Sequence, residues 1–404
     1  MRLLLFTGKG GVGKSTHALA AAVASARSGR RTLVVSTDAA HSLADALGVV
    51  VSCEPTEVAN CLHVQQVDAQ RRFEESWAEI QTYLLSVLEV AGVDPVAAEE
   101  LTVLPGAEEV LSLLELRSHA RSGRWDVVVV DCAPTAETLR LLALPEALGW
   151  YMTRILPTQR TMMKALRPVL TRAAGVPMPH DTVFDALVRL HEELREVHDL
   201  LTGPQAGVQI VLTPEEVVLA EARRAYTLLS LYGHRVEGVV VNRVFPADST
   251  DPWVQGWAEA QAAVLDSVRA SFTSVPIHVA AYQGAEPVGL DDLAQLARDT
   301  YGGLDPVADV THPDVFRVIR DGGASVLVLR VPLVEEGQLR LARDGDDLVV
   351  SVGSYRRLLT LPAALAKRRV GGARLVGDEV QVRFVPSGRD EASRRDHQDS
   401  RRTT

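Results

Sequence analysis

Short, continuous apolar runs recur through the first 301 residues and alternate with longer segments of helical spacing. Uninterrupted runs of this kind are typical of strands that are buried on both faces of a sheet. The Ala-rich segment Thr16–Arg27 follows the first run and has the length of a helix. The pattern predicts an α/β domain over residues 1–301 with a mostly parallel sheet, whose strands include Arg2–Thr7, Thr32–Val35, Asp126–Val130, Gln209–Thr213 and Val239–Arg243.

Helical insertions are predicted between these strands, at about 68–122 and 145–202. Apolar residues return at helical spacing along Arg71–Val90, and again along residues 150–170 and 183–201. By itself, this spacing predicts an amphipathic layer that packs on the sheet.

The pattern changes after Tyr301. Residues 302–313 are rich in Gly, Pro and Asp and are typical of a linker. Short β-like runs follow at close spacing, at Val326–Val331, Leu348–Val352, Tyr355–Leu361 and Val380–Val385. They predict a small all-β sandwich domain over residues 314–386, which we expect to fold independently. Residues 387–404 have a single alanine as their apolar content and are predicted to be a disordered tail.

The segment after the first strand, GKGGVGKS at residues 8–15, fits the phosphate-binding pattern G-x-x-x-x-G-K-[ST]. Its glycines let successive backbone N–H groups face phosphate oxygens, and the next helix points the positive end of its dipole there. Lys14 would reach the β- and γ-phosphates and Ser15 would hold Mg²⁺. We therefore expect this P-loop to bind ATP through Gly8, Lys9, Gly10, Gly11, Val12, Gly13, Lys14, Ser15 and Thr16.

Lys9 is an additional lysine inside this loop. It cannot easily fold back onto phosphates that Lys14 already serves. Lys9 is then either a solvated surface charge or a cation delivered to the nucleotide of a second subunit, as an arginine finger is delivered in trans.

Two aspartates lie at the carboxyl ends of predicted strands, where open α/β sheets bind their ligands. Asp38 follows Thr32–Val35, and Asp131 follows Asp126–Val130. Phosphoryl transfer needs a group that orients water and groups that hold Mg²⁺, and these aspartates are the best candidates for the two roles. The alternative for each is an N-cap of the following helix.

Composition and charge limit the classes of function that fit this chain. Apolar residues make up 47% of the chain and charged residues 23%, which are globular values. The net charge of −10 argues against nucleic-acid binding. No apolar run approaches the ~20 residues that span a bilayer, and no signal peptide precedes the first strand, so we expect a cytoplasmic protein. Cys53, Cys61 and Cys132 form no C-x-x-C pair and suit buried thiols in a reducing compartment.

Three segments together resemble one ATPase family: GKGGVGKST at 8–16, STDAAHSL at 36–43 and DCAPTAETLRLL at 131–142. They are similar to the ArsA arsenite-pump ATPases and the guided-entry ATPases that target tail-anchored membrane proteins. The resemblance implies that Asp38 activates the attacking water, and that Asp131 serves the Mg²⁺ site and senses the γ-phosphate. This chain departs from the family at Ala39, where proline is usual, and at Ala136–Glu137, where glycine–histidine is usual.

The resemblance extends through residue 301. It implies that Glu215 lies near the nucleotide at a dimer interface, that Asn242 binds adenine, and that the loop Pro276–Leu290 covers the adenine. Beyond it, residues 345–362 and 370–384 resemble an α-crystallin-type small-heat-shock domain.

For the helical insertions, the resemblance implies an apolar groove that opens or closes with nucleotide, as an alternative to plain packing on the sheet. Met162 and Met163 would suit such a groove because thioether side chains repack easily. The functional expectation is a Mg²⁺-dependent homodimeric ATPase that captures and releases a hydrophobic client, similar to tail-anchored-protein targeting factors. Zinc is not expected, because the family's zinc-binding C-x-x-C would fall within Val244–Ser274, which contains no cysteine. One alternative is a subunit that drives an anion or arsenite efflux pump, although no cysteines match the metalloid-sensing triad of the pump members. Another is a chaperone-like holdase with slow nucleotide turnover.

Overall fold

The computed structural model describes residues 1–37, 42–67, 107–132, 181–309 and 315–386. Over these residues the chain forms two compact units. The first unit contains the described residues of 1–219 and 238–309, and the second contains residues 220–237 together with 315–386.

A single eight-stranded sheet organises the first unit. Its strands are β1 (Arg2–Thr7), β2 (Thr32–Ser36), β3 (Thr56–Ala59), β4 (Leu62–Gln66), β5 (Val127–Asp131), β6 (Ala206–Leu212), β7 (Val236–Val244) and β8 (Ile277–Ala281). They follow the spatial order β3-β4-β2-β5-β1-β6-β7-β8. Parallel pairs join β4, β2, β5, β1 and β6 in turn, and join β7 to β8, whereas β3 is antiparallel to β4. The predicted mostly parallel sheet is confirmed.

The helices that the structure describes within residues 1–309 connect and flank these strands. They are α1 (Lys14–Arg27), α2 (Ser42–Leu47), α3 (Ala107–Ser122), α4 (Asp181–Thr202), α5 (Glu216–Leu231), α6 (Pro252–Ser271) and α7 (Leu290–Tyr301). Helices α3 and α4 lie in the two predicted helical insertions. The rest of those insertions, including Met162 and Met163, falls outside the described residues.

The central strands are buried on both faces. Every residue of β2, β5 and β6 is buried, and β1 is buried from its second residue onward. Continuous valine and leucine runs therefore cost nothing in exposed apolar area, and β-branched side chains also favour the extended backbone. The parallel register places the carboxyl ends of β1, β2 and β5 side by side, because Phe6 and Ser36 both pair with Asp131.

The second unit contains two antiparallel sheets, as the sequence predicts for the C-terminal domain. One sheet has the order β14 (Arg369–Val376), β15 (Glu379–Val385), β10 (Ala324–Arg330) and β9 (Phe316–Asp321). The other has the order β11 (Leu339–Asp344), β12 (Asp347–Val352) and β13 (Tyr355–Thr360). A short helix, α8 (Ala363–Ala366), follows β13. Side chains from both sheets are fully buried, among them Leu327, Val350, Val382 and Phe384.

Helix α5 contributes its last three turns to this second unit. The Arg357 guanidinium on β13 is buried and donates to the carbonyl of Leu231 at the end of α5. The Thr227 hydroxyl donates to the Pro332 carbonyl at 2.9 Å, and Arg330 donates to the Tyr226 hydroxyl at 3.2 Å. The sequence assigned residues 220–237 to the ATPase domain, whereas the structure groups them with the β-strands.

The described helices are all too short or too polar to cross a bilayer. The predicted linker is described up to Asp309, where it contains turns, and the predicted disordered tail lies outside the described residues.

Candidate functional site

The P-loop occupies the turn between β1 and α1, at the carboxyl edge of the sheet. Gly8 and Gly13 adopt positive φ values of 155° and 98°. A Cβ at Gly8 would lie 2.1 Å from the carbonyl oxygen of Val211, and one at Gly13 would lie 2.4 Å from Nδ2 of Asn242. Only glycine fits at either position, because the conformation and the close neighbours both exclude a side chain. The backbone conformation of this segment is that of a phosphate-binding loop at a helix N-terminus.

Lys14 begins α1 and turns its side chain back over the loop. It is buried, and its ammonium donates to the Lys9 carbonyl at 3.3 Å. Ser15 and Lys9 are both half-buried. A buried cation at the mouth of an anion-binding loop is the arrangement that a phosphate ester requires, since burial strengthens the charge–charge attraction.

Asp131 lies beside this loop, at the end of β5. It is fully buried, and its Oδ2 accepts from the Ser36 hydroxyl at 3.5 Å. The Thr37 backbone N–H donates to the Asp131 carbonyl at 3.0 Å, so the ends of β2 and β5 are joined. The structure thus brings Asp131 to the edge where the P-loop begins.

Cys132 reports the electrostatics of the same place. Burial and the neighbouring Asp131 carboxylate raise the pKa of the Cys132 thiol to about 12, and the Lys14 ammonium acts in the opposite direction. One thiol therefore senses both the predicted phosphate-binding lysine and the predicted magnesium aspartate. Both charges act on the Cys132 thiol, which burial keeps protonated.

Asp38 lies outside the described residues. The strand that precedes it, β2, ends at Ser36, which pairs with Asp131. The assignment of Asp38 as the residue that orients water stays a prediction.

Asn242 lies at the opposite end of the site and contacts the P-loop directly. Its side-chain Nδ2 donates to the Val12 carbonyl at 2.8 Å, and its Oδ1 accepts from the Arg243 N–H at 2.9 Å. A cavity of about 450 Å³ lies beside Asn242 and Gly13 of the P-loop. Its walls are Gly13, Thr16, Asn242, Arg243, Leu296 and residues 281–287. This volume is within the range of small-molecule sites.

Gly13, Thr16 and Asn242 are the predicted site residues that line this cavity, and Glu215 is not among them. It is exposed at the start of α5, where its Oε1 accepts from the Thr213 hydroxyl at 3.3 Å. The strand before it nevertheless reaches the P-loop, since the Val211 carbonyl lies against Gly8. The role of Glu215 at a dimer interface stays a prediction.

Comparison with known proteins identifies the family of this chain. A family model described as anion-transporting ATPase matches residues 1–302. The chain belongs to this ATPase family. A second model, described as an HSP20-like domain found in ArsA, matches residues 322–384 and agrees with the β-strands of the second unit.

The relatives of this ATPase cover most of its length. "Putative arsenical pump-driving ATPase 1" of Aquifex aeolicus is 32% identical over 394 residues, which are 95% of this chain and 99% of the relative. A protein of Prosthecochloris vibrioformis named "Putative arsenical pump-driving ATPase" is 33% identical over 377 residues, 92% of this chain and 93% of its own. "ATPase ASNA1 homolog 1" of Paramecium tetraurelia is 22% identical over 303 residues, 73% of this chain and 91% of its own.

The ATPase offers oxygen ligands of the kind that Mg²⁺ prefers. The Ser15 hydroxyl and the buried Asp131 carboxylate border the P-loop. No group of three or more His, Cys, Asp or Glu side chains among the described residues could hold a metal by itself. Magnesium in phosphate sites is commonly held by one or two protein oxygens together with substrate phosphates and water, and these residues fit that pattern.

Three site residues of the ATPase escaped the sequence analysis. Arg243 and Tyr282 form part of the cavity wall, and His17 is fully buried in the first turns of α1. Burial lowers the pKa of the His17 imidazole to about 4, against the opposing effect of the Asn242 amide. Arg243 directly follows Asn242, and Tyr282 falls inside the predicted adenine loop, so both could have been suggested by position. Nothing in the local sequence marks His17.

Proposed function

We propose that the chain binds Mg²⁺ and ATP between the P-loop and the end of β7, and that it works as a homodimer. In the proposed cycle, ATP binding and hydrolysis drive capture and release of a hydrophobic client. The observation that carries the nucleotide assignment is the cavity lined by Gly13, Thr16 and Asn242. It joins a phosphate-binding loop to an amide that can both donate to and accept from adenine.

The chain's own residues then have distinct tasks. Backbone N–H groups of the P-loop and the Lys14 ammonium bind the phosphates. Ser15 and Asp131 would hold Mg²⁺, which neutralises charge on the phosphoryl oxygens when it is bound. Asp38 would orient the attacking water for in-line displacement at the γ-phosphate. Asp131 would sense the loss of the γ-phosphate. Lys9 of each subunit would stabilise the transition state in its partner.

Support for a client comes from the helical insertions and the second unit. Apolar residues recur at helical spacing along 150–170 and 183–201, a pattern that suits a client-binding surface as well as core packing. The HSP20-like match suggests a second surface that handles apolar segments. A nucleotide-driven change in the exposure of such segments would capture and release a client.

The nucleotide assignment is tested by separating binding from turnover. We expect Lys14→Ala to abolish ATP binding, because the buried cation at the loop is lost. We expect Asp38→Asn to keep binding and lose hydrolysis. Nucleotide titration and steady-state turnover are measured for each variant, with the exposed Lys367→Ala as the control lysine. Normal turnover in Asp38→Asn would remove Asp38 as the water-orienting residue.

The client assignment is tested by co-purification. The full chain should retain bound apolar segments in the absence of ATP and release them when Mg²⁺ and ATP are added. Release in Asp38→Asn should follow ATP binding but should not repeat over several cycles. Recovery of the chain without any bound protein, or release that ignores ATP, would contradict this function.

A pump-driving ATPase is the second candidate, because the names of the Aquifex and Prosthecochloris relatives carry that activity. It predicts hydrolysis that is stimulated by arsenite or antimonite. Turnover that is unchanged by either metalloid would exclude this candidate and leave client handling in place.

A further inference from the structure

The last residues of β7 form a bulge at the cavity wall. The register between β7 and β8 shifts between Val241 and Val244, and Arg243 adopts a positive φ of 59°. This conformation is unfavourable for a residue with a Cβ and persists where the surroundings hold it. The bulge turns Asn242 and Arg243 towards the cavity that they line. Whatever holds the bulge therefore controls how the cavity is presented.

A single side chain on α6 binds the bulge from both sides. Gln261 is buried, with 6% of its surface exposed. Its Nε2 donates to the Arg243 carbonyl at 3.1 Å, and its Oε1 accepts from the Phe245 N–H at 2.8 Å. A carboxamide carries a donor and an acceptor side by side, which is what two backbone groups of opposite polarity require. A carboxylate lacks the donor, and an apolar side chain lacks both groups.

The Arg243 end of this clamp leads to Asn242. The Arg243 N–H donates to Asn242 Oδ1 while its carbonyl is held by Gln261. Asn242 in turn donates to Val12 in the P-loop. The orientation of the amide that faces the cavity thus depends on a residue nineteen positions further along the chain.

The Phe245 end of the clamp leads to the opposite wall. The Phe245 ring stacks on Tyr282 with a centroid separation of 4.8 Å and an interplanar angle of 10°. The Tyr282 N–H also donates to the Val244 carbonyl at 2.8 Å. Tyr282 lines the cavity and is 51% exposed, so one face of its ring rests on Phe245 while the side chain stays accessible to a ligand.

We propose that Gln261 is the positioning residue of a purine subsite in this cavity. It orients Asn242 to read the edge of the base, and through Phe245 it presents Tyr282 as the surface on which the base stacks. This inference rests on the proposed function, because it takes the cavity as the place of the adenine.

The test compares ligands with and without a base. Dissociation constants for ATP, GTP and inorganic tripolyphosphate are measured for the full chain, Gln261→Glu and Gln261→Met. The control is Gln255→Ala on the same helix, whose exposed side chain donates to the Ser249 carbonyl outside the cavity. Thermal unfolding followed by circular dichroism establishes that each variant is folded.

We expect both Gln261 variants to weaken ATP binding about tenfold, which is the cost of losing a buried hydrogen bond. Binding of tripolyphosphate should stay within about twofold, and the preference for ATP over GTP should fall. Turnover should show a higher KM with kcat at saturation little changed. Gln255→Ala should match the wild type in every measurement. A purely structural defect would instead weaken ATP and tripolyphosphate alike, and this result would overturn the inference.

A second pair of variants covers the case in which Gln261 variants do not fold. Tyr282→Ala should weaken ATP binding about tenfold without affecting tripolyphosphate, and Tyr282→Phe should restore it, because stacking needs only the ring. Unchanged ATP binding in folded Gln261 variants, or in Tyr282→Ala, would overturn the inference alone. Failure of the wild type to bind ATP would instead refute the proposed nucleotide function.

Discussion

Individual residues in the site are constrained from several directions at once. Gly13 must be glycine because of its φ and because Asn242 lies against it. Lys14 is buried over the loop, and Asp131 is buried beside it. The result is a small region in which opposite charges and a glycine turn are held in place for a polyanionic ligand.

His17 extends this constraint below the P-loop. The imidazole is completely buried one turn after Gly13. Because burial lowers the pKa of His17 from 6.5 to about 4, the folded protein holds it neutral. The unfolded chain takes up a proton near the ordinary value, so it binds more protons than the folded chain between pH 6.5 and 4.

We therefore predict that His17 makes stability depend on pH in that window. Its contribution is fully present above pH 6.5 and is lost as the pH falls towards 4, with a total on the order of 3 kcal/mol. His17→Gln should flatten this part of the profile. Urea unfolding at several pH values measures it for both proteins. Equal slopes for His17→Gln and the wild type would show that His17 is not the responsible group.

At the scale of elements, helix α5 begins in the first unit and continues in the second. It begins directly after Glu215 and ends at Leu231, where the buried Arg357 guanidinium meets its last carbonyl groups. A cation at a helix C-terminus is favourable because it compensates the helix dipole and an unsatisfied acceptor. A fragment of residues 314–386 would lack α5. We expect this fragment to fold independently, but without the contacts that Arg357 and Pro332 make with that helix.

We predict that Arg357→Met destabilises the second unit by about 2 kcal/mol, since a buried charge-assisted hydrogen bond is lost. The neighbouring Arg356 is exposed and provides the matched control. Arg356→Met should change the free energy of unfolding by less than about 0.5 kcal/mol. Denaturant unfolding of the full chain gives both values. Equal effects of the two substitutions would mean that the contact with α5 contributes little.

At the scale of the whole molecule, the proposed dimer determines the role of Lys9. Lys14 already serves the loop from within, and Lys9 is half-buried with its carbonyl bonded to Lys14. We propose that the Lys9 side chain acts on the nucleotide of a second subunit, as an arginine finger acts in trans.

We predict complementation between inactive subunits. Lys9→Ala and Asp38→Asn should each hydrolyse ATP poorly, whereas their mixture should recover part of the activity, because one composite site of each heterodimer receives both intact residues. Differently tagged subunits, isolated as heterodimers, are assayed for turnover against each parent. Proven heterodimers without recovery would place Lys9 outside the partner's site. The dimer should persist in chelator, since no zinc-binding cysteine pair lies in Val244–Ser274.

Local features were predictable from the sequence because they depend on neighbours in the chain. The valine-rich strands, the P-loop and the β-rich C-terminal region were all identified from contiguous patterns. The weaker strands β3, β4 and β8 were missed, since they are short and carry no continuous apolar run. Asn242 was predicted through family resemblance, and only its contact with Val12 was unforeseen.

The amino-acid sequence alone thus determined the phosphate-binding turn and the class of fold, because glycine spacing and apolar periodicity act within a few residues. The family was indicated by the resemblance of three short motifs. The tertiary structure decided what lies far apart in the chain: the Asn242–Val12 bond spans 230 positions and the Arg357–Leu231 bond spans 126. Partners at such separations are chosen by how strands pair and helices pack, and no local pattern records that choice. The roles of Gln261, His17 and α5 therefore emerge only when the packed chain brings their partners to them.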